Sequence, residues 1–156
     1  MSTVIIVDDE EHIREDLGKY LRKRNYEVHI ASTVTEAKKC ISSEASNYVI
    51  IDLKLDIADF SGIEVFNYVQ KRKPNIKPII LSSYPIEDVK DQLKKKLKDE
   101  AEPSSLLKKI EKNYIYKGSA QNYILTVLDK LKEIEQREEK SHSKKFGSSA
   151  EEDTNE

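Results

Sequence analysis

Three short runs in this 156-residue chain, "VIIV" at 4–7, "YVIID" at 48–52 and "IILSS" at 79–83, dominate what it can fold into. Each is apolar on nearly every residue and rich in β-branched side chains. A strand with one wet face alternates, whereas a short unbroken apolar run is covered on both faces, as in the middle of a parallel sheet. Such a sheet needs helices above and below it. Two weaker strands are read at 26–31, "YEVHIA", which alternates, and at 113–117, "NYIYK".

Helical periodicity fills the gaps. Ile13, Leu17, Tyr20 and Leu21 follow the rhythm of one buried face. Thr33 to Glu36 reads as a capping box opening a second helix with Ala37, Cys40 and Ile41 inward. Ile63, Phe66 and either Tyr68 or Val69 mark a third helix, and Val89, Leu93 and Leu97 a fourth. A fifth carries Ile124, Val127 or Leu128, Leu131 and Ile134, with Ser119 as its N-cap. Strand and helix alternate five times, which predicts an α/β domain with a doubly wound, five-stranded parallel sheet. The stretch at 94–112 between the fourth helix and the fifth strand is long for a single crossover. It breaks at Pro103 and resumes an apolar set at Leu106, Leu107 and Ile110, so an extra helical turn or short helix is expected there. The domain is read as 1–137, and 138–156, polar and without periodicity, as a disordered tail, with the alternative that the fifth helix runs on through "LDKLKEIEQREEK".

Charged residues make up 36% of the chain, yet the net charge is only −2. That balance argues against a protein held on nucleic acid by bulk charge. No apolar run approaches the roughly 20 residues that span a bilayer, and the N-terminus shows no basic-then-apolar leader, so a cytoplasmic protein is expected. The single cysteine, Cys40, excludes an internal disulfide and a multi-cysteine metal site.

Ligands of open α/β sheets bind beyond the carboxyl ends of the strands. Asp8 and Asp9 follow the first strand, Asp52 ends the third, Ser82 ends the fourth and Lys117 the fifth. Converging carboxylates raise one another's pKa. A hard divalent cation relieves that repulsion, and Mg²⁺ binds through one or two carboxylates while keeping several waters. A free carboxylate beside a metal, a hydroxyl and an ammonium suits phosphoryl transfer, with Asp52 attacking phosphorus and Ser82 and Lys117 neutralising its oxygens. Simpler readings stand beside this one. Asp8 and Asp9 could be a solvated helix cap, Asp52 a capping aspartate, Ser82 a small strand end, Lys117 a surface lysine and Tyr114 a packing aromatic. Arg14 reads as a helix-surface ion pair, and the "KKKLK" run at 94–98 as a solvated face, with an acidic protein partner as the alternative.

Taken together, "VIIVDDEEHIRE", "YVIIDLKL", "IILSSY" and "YIYKG" resemble the receiver domains of bacterial two-component response regulators, over residues 3–135. The resemblance implies a flavodoxin-like fold. It also implies a Mg²⁺ site of Asp9 directly, Asp8 through water, Asp52 and the Lys54 backbone carbonyl. Asp52 would accept a phosphoryl group from a histidine kinase or phosphotransfer protein. Ser82 and Tyr114 would form the switch pair, and the small Ser83 would leave the site accessible. Such a chain is a signalling switch that catalyses only its own phosphorylation and dephosphorylation. Its output would be contact with a downstream protein, or onward relay of the phosphoryl group, with a homodimer as an option and no direct role for nucleic acid or membrane.

The chain departs from the family pattern in its loops. Asp56 stands where the family has proline, Gly62 comes ten residues after Asp52 instead of eight, and Gly118 replaces the proline after the rim lysine. Ser82 and Lys117 are 35 residues apart, around a dozen more than usual. Altered loops favour a second reading, a pseudo-receiver that serves as an interaction or dimerisation module without phosphorylation. The complete acid, hydroxyl and lysine set argues against it. A Mg²⁺-dependent aspartyl-phosphate phosphatase is a third reading, but "DLKLD" puts Lys54 where its second acid belongs.

Overall fold

The unbroken apolar runs become strands buried at every residue: β1 (Thr3–Val7) and β3 (Tyr48–Asp52). The computed structural model describes residues 1–54, 60–118 and 122–154, with side chains through residue 141. Beside these strands lie β2 (Glu27–Ala31), β4 (Lys77–Ser82) and the short β5 (Tyr114–Tyr116). They form one sheet in the order β2-β1-β3-β4-β5, parallel at every pairing. This is the expected doubly wound architecture. The chain leaves β1 for β2 on one side and then crosses to β3 on the other. The strand order therefore reverses between β1 and β3, whose carboxyl ends carry Asp8 and Asp52.

Between the strands run α1 (Glu11–Lys23), α2 (Val34–Ser43), α3 (Gly62–Arg72), α4 (Ile86–Leu97) and α5 (Pro103–Lys112), and α6 (Tyr123–Thr154) follows β5. One core cluster joins Ile5, Val7, Val49 and Ile51 of the sheet to Ile41, Phe66, Val69, Val89 and Leu93 of the helices. In α1 the buried face is Ile13, Leu17, Gly18 and Leu21. Tyr20, expected on that face, is 45% exposed and lies under the Lys23 ammonium, 5.6 Å from its ring centre. The buried face includes Gly18 in its place, which lies against Val28 of β2. Asn25 ends α1 in the left-handed conformation (φ 67°), which asparagine tolerates better than most residues.

The capping box of α2 forms with a shift. Thr33 Oγ1 accepts the Glu36 N–H at 3.1 Å, but the Glu36 carboxylate reaches Ser32, taking its N–H and hydroxyl at 2.8 Å each. The expected extra helix is α5, opened by Pro103 at its first position, where a missing N–H costs nothing. It buries Leu107 and Ile110 in the same core. Glu100 pairs with Lys71 at 3.1 Å and accepts from Asn67, while Lys109 donates to Gln70, so the insertion is fastened to α3.

The chain forms two compact units, Met1–Ile124 and Leu125–Glu156. The second consists of the greater part of α6, which is helical through Thr154. Of the two readings of this end, a tail from residue 138 and a fifth helix that runs on, the backbone follows the second, helical past residue 138. The segment after it contains no proline, and its Glu and Lys residues are good helix formers. Glu133 pairs with both Lys130 and Arg137, at helical spacing. Ser119, proposed as the N-cap, lies outside the described residues, as do Asp56 and most of the longer loop after β3. Among the described residues no helix is long and apolar enough to cross a membrane.

Candidate functional site

Three parallel strands stop at one level and present their next residues to a common rim. Asp8 follows β1, Asp52 closes β3 and Ser82 closes β4. Lys117, the residue after β5, is held there by its N–H, which donates to the Ser82 carbonyl at 2.7 Å and extends the β4–β5 ladder by one step. Among the described residues, Asp8, Asp9 and Asp52 each offer a carboxylate oxygen, all within 4.8 Å of one another. The Lys117 ammonium lies 3.4 Å from Asp8 Oδ2 and 3.7 Å from Asp52 Oδ1. Asp8, Asp52, Ser82 and Lys117 are all buried, while Asp9 is exposed at the mouth.

Burial without full neutralisation shows in the protonation of these acids. Asp52 is pushed up to about 8, first by loss of water and then by the neighbouring Asp8 charge. Lys117 and a hydrogen bond from the Lys54 N–H oppose that rise and do not cancel it. Burial raises Asp8 too, against the pull of Lys117 and of the Glu10 N–H, which donates to Asp8 Oδ1 at 2.9 Å. One ammonium therefore serves the two buried carboxylates, with the Asp9 carboxylate beside them. A hard divalent cation fits that donor set: oxygen ligands, an excess of negative charge, and an open side toward water.

The mouth is a cleft of about 200 Å³ lined by Asp9, Glu10, Asp52, Lys54, Ser82, Ser83, Tyr84 and Lys117. Lys54 turns its side chain across this mouth. Its ammonium sits 4.5 Å from the centre of the Tyr84 ring and 5.3 Å from that of Phe60, and donates to Tyr84 Oη at 3.3 Å. Ser82 Oγ accepts the Tyr84 N–H at 3.1 Å, fixing the start of the β4–α4 loop. Tyr114 reaches the same loop, its hydroxyl donating to the Tyr84 carbonyl at 2.5 Å. Burial raises the Tyr114 hydroxyl pKa, and a hydrogen bond with Ser82 opposes the rise.

Every residue singled out on the strand ends is thus brought to one place, including Lys117, despite the long insertion before it. Three contributions were not legible beforehand. Gly62 packs its Cα against the end of β3; a Cβ there would stand 2.2 Å from the Asp52 carbonyl oxygen. Phe60 forms one wall of the Lys54 contact. Arg14, read as a surface ion pair, instead donates to the Asp8 backbone carbonyl at 2.8 Å. The Gly62 spacing was the only one of the three to leave a signal in the sequence.

The model of the response regulator receiver domain family matches residues 4–118. The chain belongs to this family. This receiver domain is 30% identical over 82 residues to the photosynthetic apparatus regulatory protein RegA of Rhodobacter capsulatus, covering 53% of this chain and 44% of that protein. It is 35% identical over 81 residues to a putative response regulator, NtrX-like, of Rickettsia typhi, covering 52% of this chain and 17% of that one. The receiver thus aligns with less than half the length of these curated relatives. Among solved structures, a CheY-like receiver domain protein from Methanospirillum hungatei superposes with a TM-score of 0.67 at 27% identity, over 90% of this chain and 98% of that one. The response regulator TrrA of Thermotoga maritima, solved with Mg²⁺ and BeF, gives a TM-score of 0.60 at 26% identity, over 84% and 99%.

Proposed function

We propose that this receiver is a phosphorylation-controlled signalling switch that takes a phosphoryl group onto Asp52 from a histidine kinase or a phosphotransfer protein, with Mg²⁺ as cofactor. The observation that carries the reading is the cluster itself: three carboxylates within 4.8 Å of one another, two of them buried against a single lysine. The similarity to TrrA, which was solved with Mg²⁺ and BeF, supports the same assignment.

Asp9, Asp8 and Asp52 would hold Mg²⁺ together with the Lys54 backbone carbonyl. Once bound, the ion supplies the positive charge that keeps these carboxylates ionised and offsets charge on the phosphoryl oxygens. Asp52 then acts as nucleophile. A carboxylate oxygen forms a bond to phosphorus as the phosphorus–nitrogen bond to the donor histidine breaks, and the imidazole leaves with the electron pair and takes up a proton. Lys117 Nζ, already between Asp8 and Asp52, is placed to bind a phosphoryl oxygen. The Ser82 hydroxyl, whose oxygen accepts the Tyr84 N–H, would turn its proton from Tyr114 to the same phosphoryl oxygens.

A phosphoryl group adds about −1.5 to −2 charge at pH 7. Drawing Ser82 toward that charge would disturb its bond to the Tyr84 N–H, on the loop that Tyr114 also holds. The loop leads directly into α4, so the change is delivered to a helix face where a downstream protein, or a second copy of the chain, could read it. Incubation with Mg²⁺ and acetyl phosphate, read by intact mass, tests the proposal: one phosphoryl group is gained, and none without Mg²⁺. Absence of any gain, with a histidine kinase also tried as donor, would leave the interaction-module reading in its place.

A further inference from the structure

Asp8 is held at every polar atom. Its N–H donates to the Ala31 carbonyl at 3.0 Å, its Oδ1 accepts from the Glu10 N–H at 2.9 Å, and its Oδ2 faces Lys117 at 3.4 Å. The fourth contact comes from Arg14, whose Nη1 donates to the Asp8 carbonyl oxygen at 2.8 Å. That carbonyl belongs to the peptide joining Asp8 to Asp9. Asp9 itself is exposed, and its carboxylate makes no hydrogen bond among the described residues. Its direction is consequently set by the backbone on which it stands.

Arg14 is placed for this by α1. Its own N–H bonds to the Glu10 carbonyl at 3.2 Å, in the first turn, so the guanidinium folds back over the β1–α1 loop. Acids surround it in sequence at Asp8, Asp9, Glu10, Glu11 and Glu15, yet its hydrogen bond goes to a main-chain oxygen. A guanidinium hydrogen-bonded to a carbonyl oxygen restrains the rotation of that peptide group, which a pairing with a mobile surface carboxylate would not do.

We infer that Arg14 is a positioning residue for the metal site: it orients the Asp8–Asp9 peptide and so aims the Asp9 carboxylate at the ion. The inference rests on the Mg²⁺ reading given above. It makes a prediction opposite in sign to plain electrostatics. Deleting a positive charge near a cation site should tighten the cation by removing repulsion. Deleting a positioning group should weaken it.

The test compares the wild type, Arg14→Met and Arg14→Lys by calorimetric titration of Mg²⁺, with amide hydrogen exchange of the metal-free proteins alongside. Arg14→Met is expected to bind Mg²⁺ about tenfold more weakly, a loss of about 1.4 kcal/mol, with Arg14→Lys between it and the wild type. In the metal-free protein the Glu10 amide, bonded to Asp8 Oδ1, should exchange several-fold faster in Arg14→Met while the amides of β3 keep their rates. Mg²⁺ affinity equal to or tighter than wild type in Arg14→Met would overturn the inference, as would an unchanged Glu10 amide. If the wild type bound no Mg²⁺, the proposed function would fall, and the Glu10 amide would still decide whether Arg14 orders the loop.

Discussion

Lys117 Nζ stands 3.4 Å from Asp8 Oδ2, a buried contact between residues 109 apart in the chain. It is the hinge of the electrostatics at this site, because the same ammonium lies 3.7 Å from Asp52 Oδ1. A single cation between two buried acids under-neutralises them, and the remaining imbalance governs how the protein responds to pH, to metal and to substitution.

The first consequence is a pH-dependent stability. Asp52 has its folded-state pKa raised to about 8 from an ordinary value of 3.8, so between those values the folded state holds a proton that the unfolded state has released. Stability of the metal-free protein should therefore fall as pH rises from about 4 to about 8 and level off above that. Asp52→Asn removes the Asp52 share of this dependence and leaves that of Asp8, whose pKa burial also raises. Urea unfolding in chelator should show the stability advantage of Asp52→Asn over wild type growing across the window by at least about 1.4 kcal/mol, the value of one pKa unit.

Metal should reverse that penalty. A ligand that binds only the folded state stabilises it by about 2.7 kcal/mol at a hundredfold excess over its Kd. Thermal unfolding of the wild type should shift upward with Mg²⁺, and the shift should vanish in Asp9→Asn. Asp9 is exposed, so that substitution should leave stability in chelator nearly unchanged.

Gly62 should tolerate no side chain. A Cβ there would lie 2.2 Å from the Asp52 carbonyl oxygen and 2.9 Å from that of Leu53, both rigid main-chain atoms. Gly62→Ala must push α3 away from β3, at a cost of about 1–3 kcal/mol or somewhat more. Chemical unfolding measures the loss, and phosphorylation of Asp52 should slow because its backbone moves with the strand end.

Tyr84 should matter to the site more than to the fold. Its ring holds the Lys54 ammonium across the cleft mouth, a contact worth about 0.5–1 kcal/mol at an exposed position. Tyr84→Ala should cost no more than that in stability while opening the cleft to water. The phosphorylated form, followed by intact mass after removal of the donor, should decay faster than in the wild type.

Much of this site could be read directly from residue order, because strands covered on both faces announce themselves. "VIIV", "YVIID" and "IILSS" located β1, β3 and β4, and the residue at each strand end was then placed on one rim by the parallel topology alone. Pro103 likewise marked the start of α5. What could not be read depends on distances between segments far apart in sequence. The Arg14 guanidinium had several acids as apparent partners, and only the folded loop shows it on the Asp8 carbonyl. Tyr20 fits the apolar rhythm of α1 yet stays exposed, with Gly18 on the buried face instead. The length of α6 was legible only as one of two readings, because its polar end lacks the apolar face on which a helix is recognised.

The central claim is that Asp52 is the residue that carries the phosphoryl group. Its most direct test is to phosphorylate the protein with Mg²⁺ and acetyl phosphate, reduce the acyl phosphate with borohydride, and locate the resulting homoserine by peptide mass spectrometry. The account predicts homoserine at position 52 alone, and none in a sample prepared without Mg²⁺. Homoserine at another aspartate, or phosphorylation that persists in Asp52→Asn, would contradict it.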